Sequence, residues 1–315
     1  MVWLTAALGL AVLLLAGDAL VKGAVNLALR LGVPALIVSL TIVAFGTSAP
    51  ELLISINAGL EGASGIALGN VVGSNTANVL MVLGIPALIA VMHTAEHDTR
   101  KSYWFMMAAS VLFIGLAFRG VFDWIAGLVL LAALALILGD NFWDSVKHRR
   151  AGEAADAEED LEGADPSMPW WKIILFLALG LIGLPFGADL LVDSATEIAQ
   201  RFGVSDTVIG LTMVAVGTSL PELATTVSAA LRRQADVALG NVIGSNMFNL
   251  LAIIGIASLI APIEVDPSFL RFDLWVMLGA SVLLAPFVLF KMNLTRVWGV
   301  VLSAAYVGYV LVVLS

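Results

Sequence analysis

Long apolar stretches, separated by short polar segments, run through most of the chain. Each stretch is about as long as the roughly 20 residues that an α-helix needs to cross the hydrocarbon core of a bilayer. The pattern therefore predicts ten transmembrane helices. Five precede an acidic segment and run from Val2 to Val21, Pro34 to about Gly59, Ile66 to about Val91, Ser102 to Phe118 and Phe122 to Leu138. Five follow it and run from Trp170 to Val192, Ser205 to Leu231, Val237 to Ile260, Phe272 to Phe290 and Arg296 to Leu314.

Composition supports a location in the membrane. Hydrophobic residues make up 60% of the chain and charged residues 12%, whereas soluble domains average about 45–50% and ~25%. The absence of Cys excludes a disulfide and a thiolate metal site. We therefore expect the lipid bilayer to surround the protein, and we expect no enzymatic activity, no cofactor and no nucleic-acid partner.

A long stretch of the first half occurs again in the second half. Residues 46–89 align without a gap with residues 217–260, and 22 of the 44 positions are identical. A repeat of this spacing is typical of a protein built from two homologous halves. We therefore predict a first five-helix repeat over residues 1–146, an acidic linker over residues 147–169 and a second five-helix repeat over residues 170–315.

Because five is odd, the two halves must lie in the bilayer with opposite orientations. The predicted fold class is thus an all-α integral membrane protein with ten transmembrane helices in two inverted-topology repeats. Alternate assignment of the loops divides the 15 Lys and Arg into 12 on one side and three, Arg119, Arg201 and Arg271, on the other. Basic residues concentrate on the cytoplasmic side of a membrane. We therefore expect an inner or plasma membrane location with both termini outside, extracellular or periplasmic, and the acidic linker in the cytosol.

Each copy of the repeat places a carboxylate, amides and hydroxyls inside apolar spans. Pro50 lacks an N–H and follows Gly46 by four residues, so the second span is predicted to break there. Glu51 lies one helical turn beyond Thr47, and the spacing of four puts three polar residues on one face of the next helix. These residues are Asn70, Ser74 and Asn78, and the second copy supplies Thr218, Glu222, Asn241, Ser245 and Asn249.

Some repeated residues have a structural explanation. Gly69, Gly73, Gly240 and Gly244 allow close packing of membrane helices. Asn75 and Asn246 lie about 100° round the helix from the neighbouring serines, and we expect them to satisfy main-chain groups rather than bind an ion.

The two glutamates have no such explanation. An ionised carboxylate in the middle of a membrane costs at least a few kcal/mol, and every Lys and Arg is predicted in or beside a loop. A cation or a proton must therefore neutralise Glu51 and Glu222. Carboxylate, amide, hydroxyl and carbonyl oxygens together suit hard cations such as Ca²⁺ or Na⁺ rather than Zn²⁺ or copper.

The paired GTSxPE and GNVxGSNxxN signatures, in two inverted halves, resemble the cation/Ca²⁺ exchanger superfamily and are nearest to its prokaryotic Na⁺/Ca²⁺ antiporter branch. The resemblance covers nearly the whole chain outside the linker. It implies that the first and sixth helices slide against the other eight to alternate access. It also implies main-chain carbonyl ligands at Ala44 and Ala215. The side-chain ion ligands that it implies are Thr47, Ser48, Glu51, Ser74, Asn78, Thr218, Ser219, Glu222, Ser245 and Asn249, with the metal held mainly by Glu51 and Glu222.

The predicted function is therefore exchange of Ca²⁺ for Na⁺ by alternating access, with one chain sufficient for transport. Members of this branch often carry Asp where this chain has Asn249, so the site holds two carboxylates rather than three. Two carboxylates balance one Ca²⁺ or two Na⁺. A Ca²⁺/H⁺ antiporter that uses the same two glutamates is the alternative, because a desolvated carboxylate can take a proton in place of a metal. A cation channel on the same helices is a third possibility, which broken, inverted helices with a midplane site disfavour.

The topology is testable because the chain has no native Cys. A cysteine at Ala157, in the linker, should react with a membrane-impermeant maleimide only from the cytosol. A cysteine at Ser315 should react only from outside. The reverse labelling pattern would show that the span count or the orientation is wrong.

Overall fold

The structure, a computed structural model, describes residues 2–33, 35–94, 99–151, 164–202 and 216–313, and of residues 144–151 the main chain alone. The described chain is almost entirely helical, as predicted. Several predicted features lie outside these residues: the starts of the second and seventh spans at Pro34 and Ser205, most of the linker, Ala215 and the two labelling positions, Ala157 and Ser315.

The helices of the first half are α1 Val2–Leu31, α2 Ala35–Val38, α3 Ala44–Thr47, α4 Ala49–Leu60, α5 Ser64–Ala77, α6 Gly84–Ile89, α7 Arg100–Ala117 and α8 Trp124–Ala151. Those of the second half are α9 Trp170–Arg201, α10 Leu220–Leu231, α11 Ala235–Met247, α12 Ile254–Ile260, α13 Pro267–Arg271, α14 Asp273–Leu283, α15 Ala285–Leu289 and α16 Arg296–Val313. Wider π-helical turns occupy Ser39–Val43, Asn78–Val82 and Phe248–Ile253.

Six helical segments of the described chain are long and apolar enough to cross a membrane, or seven if the bent pair α2–α3 and α4 is one span. The ten spans of the sequence analysis stay a prediction. Two of the six, Ser64–Ile89 and Ala235–Ile260, are central, because 78% and 83% of their most apolar windows are buried. The outer segments α1, α8, α9 and α16 are at most 33% buried. The two segments that carry the repeated Asn and Ser residues therefore lie at the centre of the protein.

Two helices continue beyond the predicted spans. Helix α1 continues past Val21 through Lys22 to Leu31, and α9 continues past Val192 to Arg201. Polar contacts one turn apart stabilise both extensions: Lys22 Nζ lies 3.5 Å from Asp18, and Arg201 pairs with Glu197. The loss of hydrophobicity that ends each predicted span therefore does not mark the end of the helix.

The predicted break in the second span is confirmed. Ser48 leaves the helical region, with φ −86° and ψ 7°, and α4 is bent by 45° relative to the preceding segment. Ser219, its equivalent in the second half, has φ −86° and ψ 2°. Pro50 and Pro221 fall in the first turns of α4 and α10, where the missing N–H has no helical partner to lose.

Helices α1 and α9 pack antiparallel along their lengths through small residues. A Cβ on Gly9 would lie 3.0 Å from Gly187 O, and one on Gly183 would lie 2.8 Å from the Cβ of Ala16. The start of α9 is also tied to the end of α1, because Arg30 donates a 2.9 Å hydrogen bond to Met168 O. These contacts make α1 and α9 a paired unit.

Short antiparallel links join loops of the two halves, so the chain is not purely helical. Strand β1, Val121–Phe122, pairs with β2, Ile263–Glu264. A single bridge between Met92 and Leu294 makes a comparable link. Each link connects a loop of one half to a loop of the other.

Candidate functional site

The two helix breaks meet between the central segments. From the first half, Ser48 Oγ donates a 3.2 Å hydrogen bond to Glu222 Oε1. From the second half, Thr218 Oγ1 lies 3.4 Å from Ser74 Oγ. Thr47 Oγ1 donates to Ala44 O at 3.2 Å and lies 3.5 Å from Asn241 Oδ1. Side chains from opposite halves of the chain therefore form one polar cluster.

Glu51 and Glu222 lie at the centre of this cluster. Each is 1% exposed. Among the described residues, no salt bridge involves either of them. The expectation that no basic side chain neutralises the pair thus holds for the described part of the chain.

The cluster contains buried oxygens that accept no hydrogen bond from the described residues. They are Glu51 Oε1 and Oε2, Glu222 Oε2, Asn70 Oδ1, Asn78 Oδ1, Asn249 Oδ1, Ser219 Oγ and Ser245 Oγ. Buried polar atoms are ordinarily hydrogen-bonded. Oxygen atoms in this number and of this chemistry suit a hard cation, since Ca²⁺ takes six to eight oxygen ligands.

A matched pair of asparagines holds the glutamate-bearing helices. Asn70 Nδ2 donates to Glu51 O and to Ser55 Oγ, both at 3.0 Å. At the equivalent positions of the second copy, Asn241 Nδ2 donates to Glu222 O at 3.3 Å and to Thr226 Oγ1 at 3.2 Å. The hydroxyls of Ser55 and its equivalent Thr226 are not among the predicted site residues. Their spacing of four from each glutamate, in both copies, was the available signal.

Asn75 and Asn246 satisfy main-chain groups, as predicted, but across the two halves rather than within one. Asn75 Nδ2 donates to Asn246 O at 3.2 Å, and Asn246 Nδ2 donates to Asn75 O at 3.3 Å. Asn75 Oδ1 accepts a hydrogen bond from Asn249 Nδ2 at 3.0 Å, and Asn246 Oδ1 accepts one from Asn78 Nδ2 at 3.1 Å. The two halves therefore contact each other through four interlocked asparagines.

Of the two predicted carbonyl ligands, the structure describes Ala44 alone. The Ala44 carbonyl accepts hydrogen bonds from Ser48 N at 3.1 Å and from Thr47, so a cation would have to displace one of them. Ala215 lies outside the described residues.

The close packing predicted at the repeated glycines is confirmed in the second half, since a Cβ on Gly244 would lie 2.7 Å from Leu40 O. It is wrong for Gly73, where a Cβ would meet no other described atom within 4 Å.

A cavity of about 530 Å³ leads to one side of the cluster. It lies between α4 and α9 and is lined by Leu53 and Asp189 among others, and by Thr218 at the edge of the cluster. The equivalent contact on the other side, between α1 and α10, is closed. There a Cβ on Gly17 would lie 2.8 Å from Ala224 O, and Arg232 at the end of α10 pairs with Asp18 of α1.

One side of the cluster is therefore open to the cavity, and the other side is closed. Leu53 is 63% exposed, whereas Ala224, its equivalent in the second copy, is 5% exposed. The positions equivalent to Asp18 and Arg232 are Asp189 and Glu61, two acidic residues that cannot form the same ion pair.

Long apolar helices around a buried, oxygen-rich centre place the chain in the class of multi-pass membrane ion transporters. The chain belongs to the sodium/calcium exchanger protein family, which it matches over residues 1–142 and 172–315. It is similar to the sodium/calcium exchanger MaX1 of Methanosarcina acetivorans, with 35% identity over 97% of this chain and 96% of that protein. It is also similar to the inner membrane protein YrbG of Escherichia coli, with 34% identity over 88% and 85%.

A solved structure has the same fold. The sodium-calcium exchanger NCX_Mj, soaked with Na⁺ and Sr²⁺, superposes with a TM-score of 0.80 and 32% identity, over 97% of this chain and 96% of that chain. The family assignment made from the repeated signatures is thus confirmed. Membership of this family makes the chain a membrane cation exchanger.

Substitution of either glutamate tests the candidate site. Glu51→Gln and Glu222→Gln should each lower Ca²⁺ transport about 100-fold or more, because each removes half of the cluster's formal charge without changing its shape; such a loss corresponds to ~3 kcal/mol. Uptake of ⁴⁵Ca²⁺ into proteoliposomes measures it. Glu264→Gln, at an exposed position, is the matched control and should transport normally. Near-normal uptake by either buried variant would refute the assignment.

Proposed function

We propose that the chain exchanges Ca²⁺ for Na⁺ across the membrane by alternating access. One observation carries the proposal: each half contributes a buried glutamate to a shared cluster, and among the described residues no basic side chain pairs with either. A permanent cationic partner would fix the charge of the site. Its absence from the described residues leaves the charge to be balanced by whichever cation is being carried.

The proposed ligands come from both halves. Glu51 and Glu222 supply the charge, and the unpaired oxygens of Asn78 and Asn249 face no other hydrogen-bond donor among the described residues. Hydroxyls and main-chain carbonyls at the two helix breaks complete the set. The full set is Thr47, Ser48, Glu51, Ser74, Asn78, Thr218, Ser219, Glu222, Ser245 and Asn249, with the carbonyls of Ala44 and Ala215.

Charge balance supports Ca²⁺ and Na⁺ as alternating occupants. Two ionised glutamates carry a formal charge of −2, which one Ca²⁺ or two Na⁺ neutralises. Asn249 is uncharged, so a third Na⁺ in the same desolvated cluster would leave a net positive charge there. The proposed exchange of one Ca²⁺ for two Na⁺ would move no net charge.

The asymmetry of the two sides supports alternating access. The cavity between α4 and α9 reaches Thr218, whereas α1 is packed on α10 at Gly17. We propose ten spans in two inverted repeats, over residues 1–146 and 170–315, with both termini outside and the linker in the cytosol. In that orientation the open side faces outward. Sliding of the α1–α9 pair against the rest would exchange the open and the closed side.

The ion pair between Asp18 and Arg232 would favour the outward-open state. It joins α1 to α10 on the closed side of the cluster, and opening of that side would separate the two charged groups. Its equivalent on the outer side would oppose Asp189 to Glu61, two like charges. The difference biases the equilibrium between the two states without any contact to the transported ion.

Loss of this ion pair should therefore loosen the inner side. In a protein with a single cysteine at Ser228, which is 6% exposed beside Gly17, Asp18→Asn should raise the rate of maleimide labelling about fivefold. That factor corresponds to ~1 kcal/mol, as expected for a partly exposed pair. The matched control is Glu197→Gln, which removes an exposed pair within α9 and should leave the rate unchanged. Equal rates in all three proteins would argue against the role of the ion pair.

The coupling ion can be tested directly. Proteoliposomes loaded with Na⁺ and diluted into Na⁺-free medium should take up ⁴⁵Ca²⁺, and a Na⁺ ionophore should abolish the uptake. An imposed pH gradient without Na⁺ should drive none. Vesicles that contain Glu51→Gln are the control for leakage.

Each other outcome selects a different function. Uptake driven by the pH gradient alone would replace Na⁺ with H⁺ and favour the Ca²⁺/H⁺ alternative, in which the same glutamates carry protons. Uptake that needs no counter-ion and does not saturate with Ca²⁺ would instead indicate a channel.

A further inference from the structure

Asn75 and Asn246 lie beside the proposed ligands and belong to none of the sets assigned above. Each is 1% exposed. Every polar group of the two side chains is engaged: each Nδ2 donates to the main-chain carbonyl of the other residue and faces a methionine sulfur at 3.8 Å, Met277 for Asn75 and Met106 for Asn246. Each Oδ1 accepts from an asparagine of the opposite half.

The main-chain carbonyls determine how these amides are turned. A carbonyl oxygen only accepts hydrogen bonds, so the nitrogen of the Asn75 amide must face Asn246 O. The Oδ1 of Asn75 then faces the opposite way and can only accept. Its neighbour Asn249 must therefore present Nδ2, at 3.0 Å, and its own Oδ1 is turned away from Asn75.

The same constraints fix the orientations of the Asn246 and Asn78 amides. Asn246 Nδ2 faces Asn75 O, so Asn246 Oδ1 accepts from Asn78 Nδ2 at 3.1 Å. Asn78 Oδ1 and Asn249 Oδ1, like Asn70 Oδ1, are amide oxygens of the cluster that have no hydrogen-bond partner among the described residues. A flip of either amide, which exchanges its oxygen and nitrogen, would present N–H groups to a cation and oppose two acceptors to each other.

We propose that Asn75 and Asn246 are positioning residues, which fix the amide orientation of the ion ligands Asn249 and Asn78 across the interface between the two halves. The inference rests on the proposed function, since it concerns the same ion site. It predicts a crossed pattern of dependence: Asn75 acts through Asn249, and Asn246 acts through Asn78.

Side-chain truncation can separate the two pairs. Asn75→Ala keeps the Asn75 carbonyl, which holds the Asn246 amide, so the Asn246–Asn78 pair stays oriented. Only Asn249 is released. Asn246→Ala likewise releases only Asn78. A merely structural role predicts no such selectivity between partners.

Double-mutant cycles on the purified full chain test the proposal, with equilibrium ⁴⁵Ca²⁺ binding as the readout. Asn75→Ala should weaken Ca²⁺ binding about tenfold when Asn249 is present and less than about twofold in the Asn249→Ala background. The matched control cycle pairs Asn75→Ala with Asn78→Ala, which are not hydrogen-bonded to each other, and there the two effects should multiply. Asn246→Ala should weaken Ca²⁺ binding about tenfold when Asn78 is present and less than about twofold in the Asn78→Ala background. Its effect should multiply with that of Asn249→Ala.

The melting temperature of each variant without Ca²⁺ records the structural cost separately. If alanine prevents folding, serine at the same positions enters the same cycles, because it is shorter by one bond but keeps a polar atom. An equal loss of Ca²⁺ affinity from Asn75→Ala in both backgrounds would overturn the positioning role. Failure of the unmodified chain to bind Ca²⁺ would refute the proposed function instead.

Discussion

The structure depends on two carboxylates that lie inside an apolar assembly without a basic partner among the described residues. Burial of an ionised carboxylate is among the most costly events in a protein interior, and in a membrane it is tolerated only where other groups offset it. Glu51 and Glu222 are each 1% exposed, and the hydroxyls and amides of both halves gather around them. In the proposed exchanger, the transported cation offsets the cost of burial, so the site is most stable when an ion occupies it.

The surrounding helices and hydrogen bonds hold the two glutamates in position. Breaks at Ser48 and Ser219 let each glutamate begin a helix, where the helix dipole favours a negative charge. Asn70 and Asn241 hold those helices by hydrogen bonds to the glutamates' own carbonyls. The small residues between α1 and α9 allow the two outer helices to stay together as a pair. In the proposed exchanger, rigid packing around the ion site and a separate pair of helices that slides against it would together provide alternating access.

The parts of this arrangement that the sequence predicted are those whose cause is local. The clash of a proline ring with the carbonyl four residues before it acts locally, and an acidic residue beside the resulting break is visible in both copies of the repeat. Helix ends were less predictable: α1 and α9 continue through charged residues, which form ion pairs one turn apart. Hydrophobicity alone carries no information about those turns. Contacts between the halves, such as the hydrogen bond from Asn249 to Asn75 and the ion pair from Arg232 to Asp18, could not be predicted at all. Both depend on how one half is registered against the other, which the repeat does not show.

We propose that a cation binds between the two buried glutamates. The most direct test is a crystal structure of the full chain with Sr²⁺, a heavier analogue of Ca²⁺ that its anomalous scattering locates. We expect one strong peak between the carboxylates of Glu51 and Glu222, within ligand distance of Asn78 Oδ1 and Asn249 Oδ1. A peak at any other place in the core, with both glutamates paired to protein groups, would contradict the account.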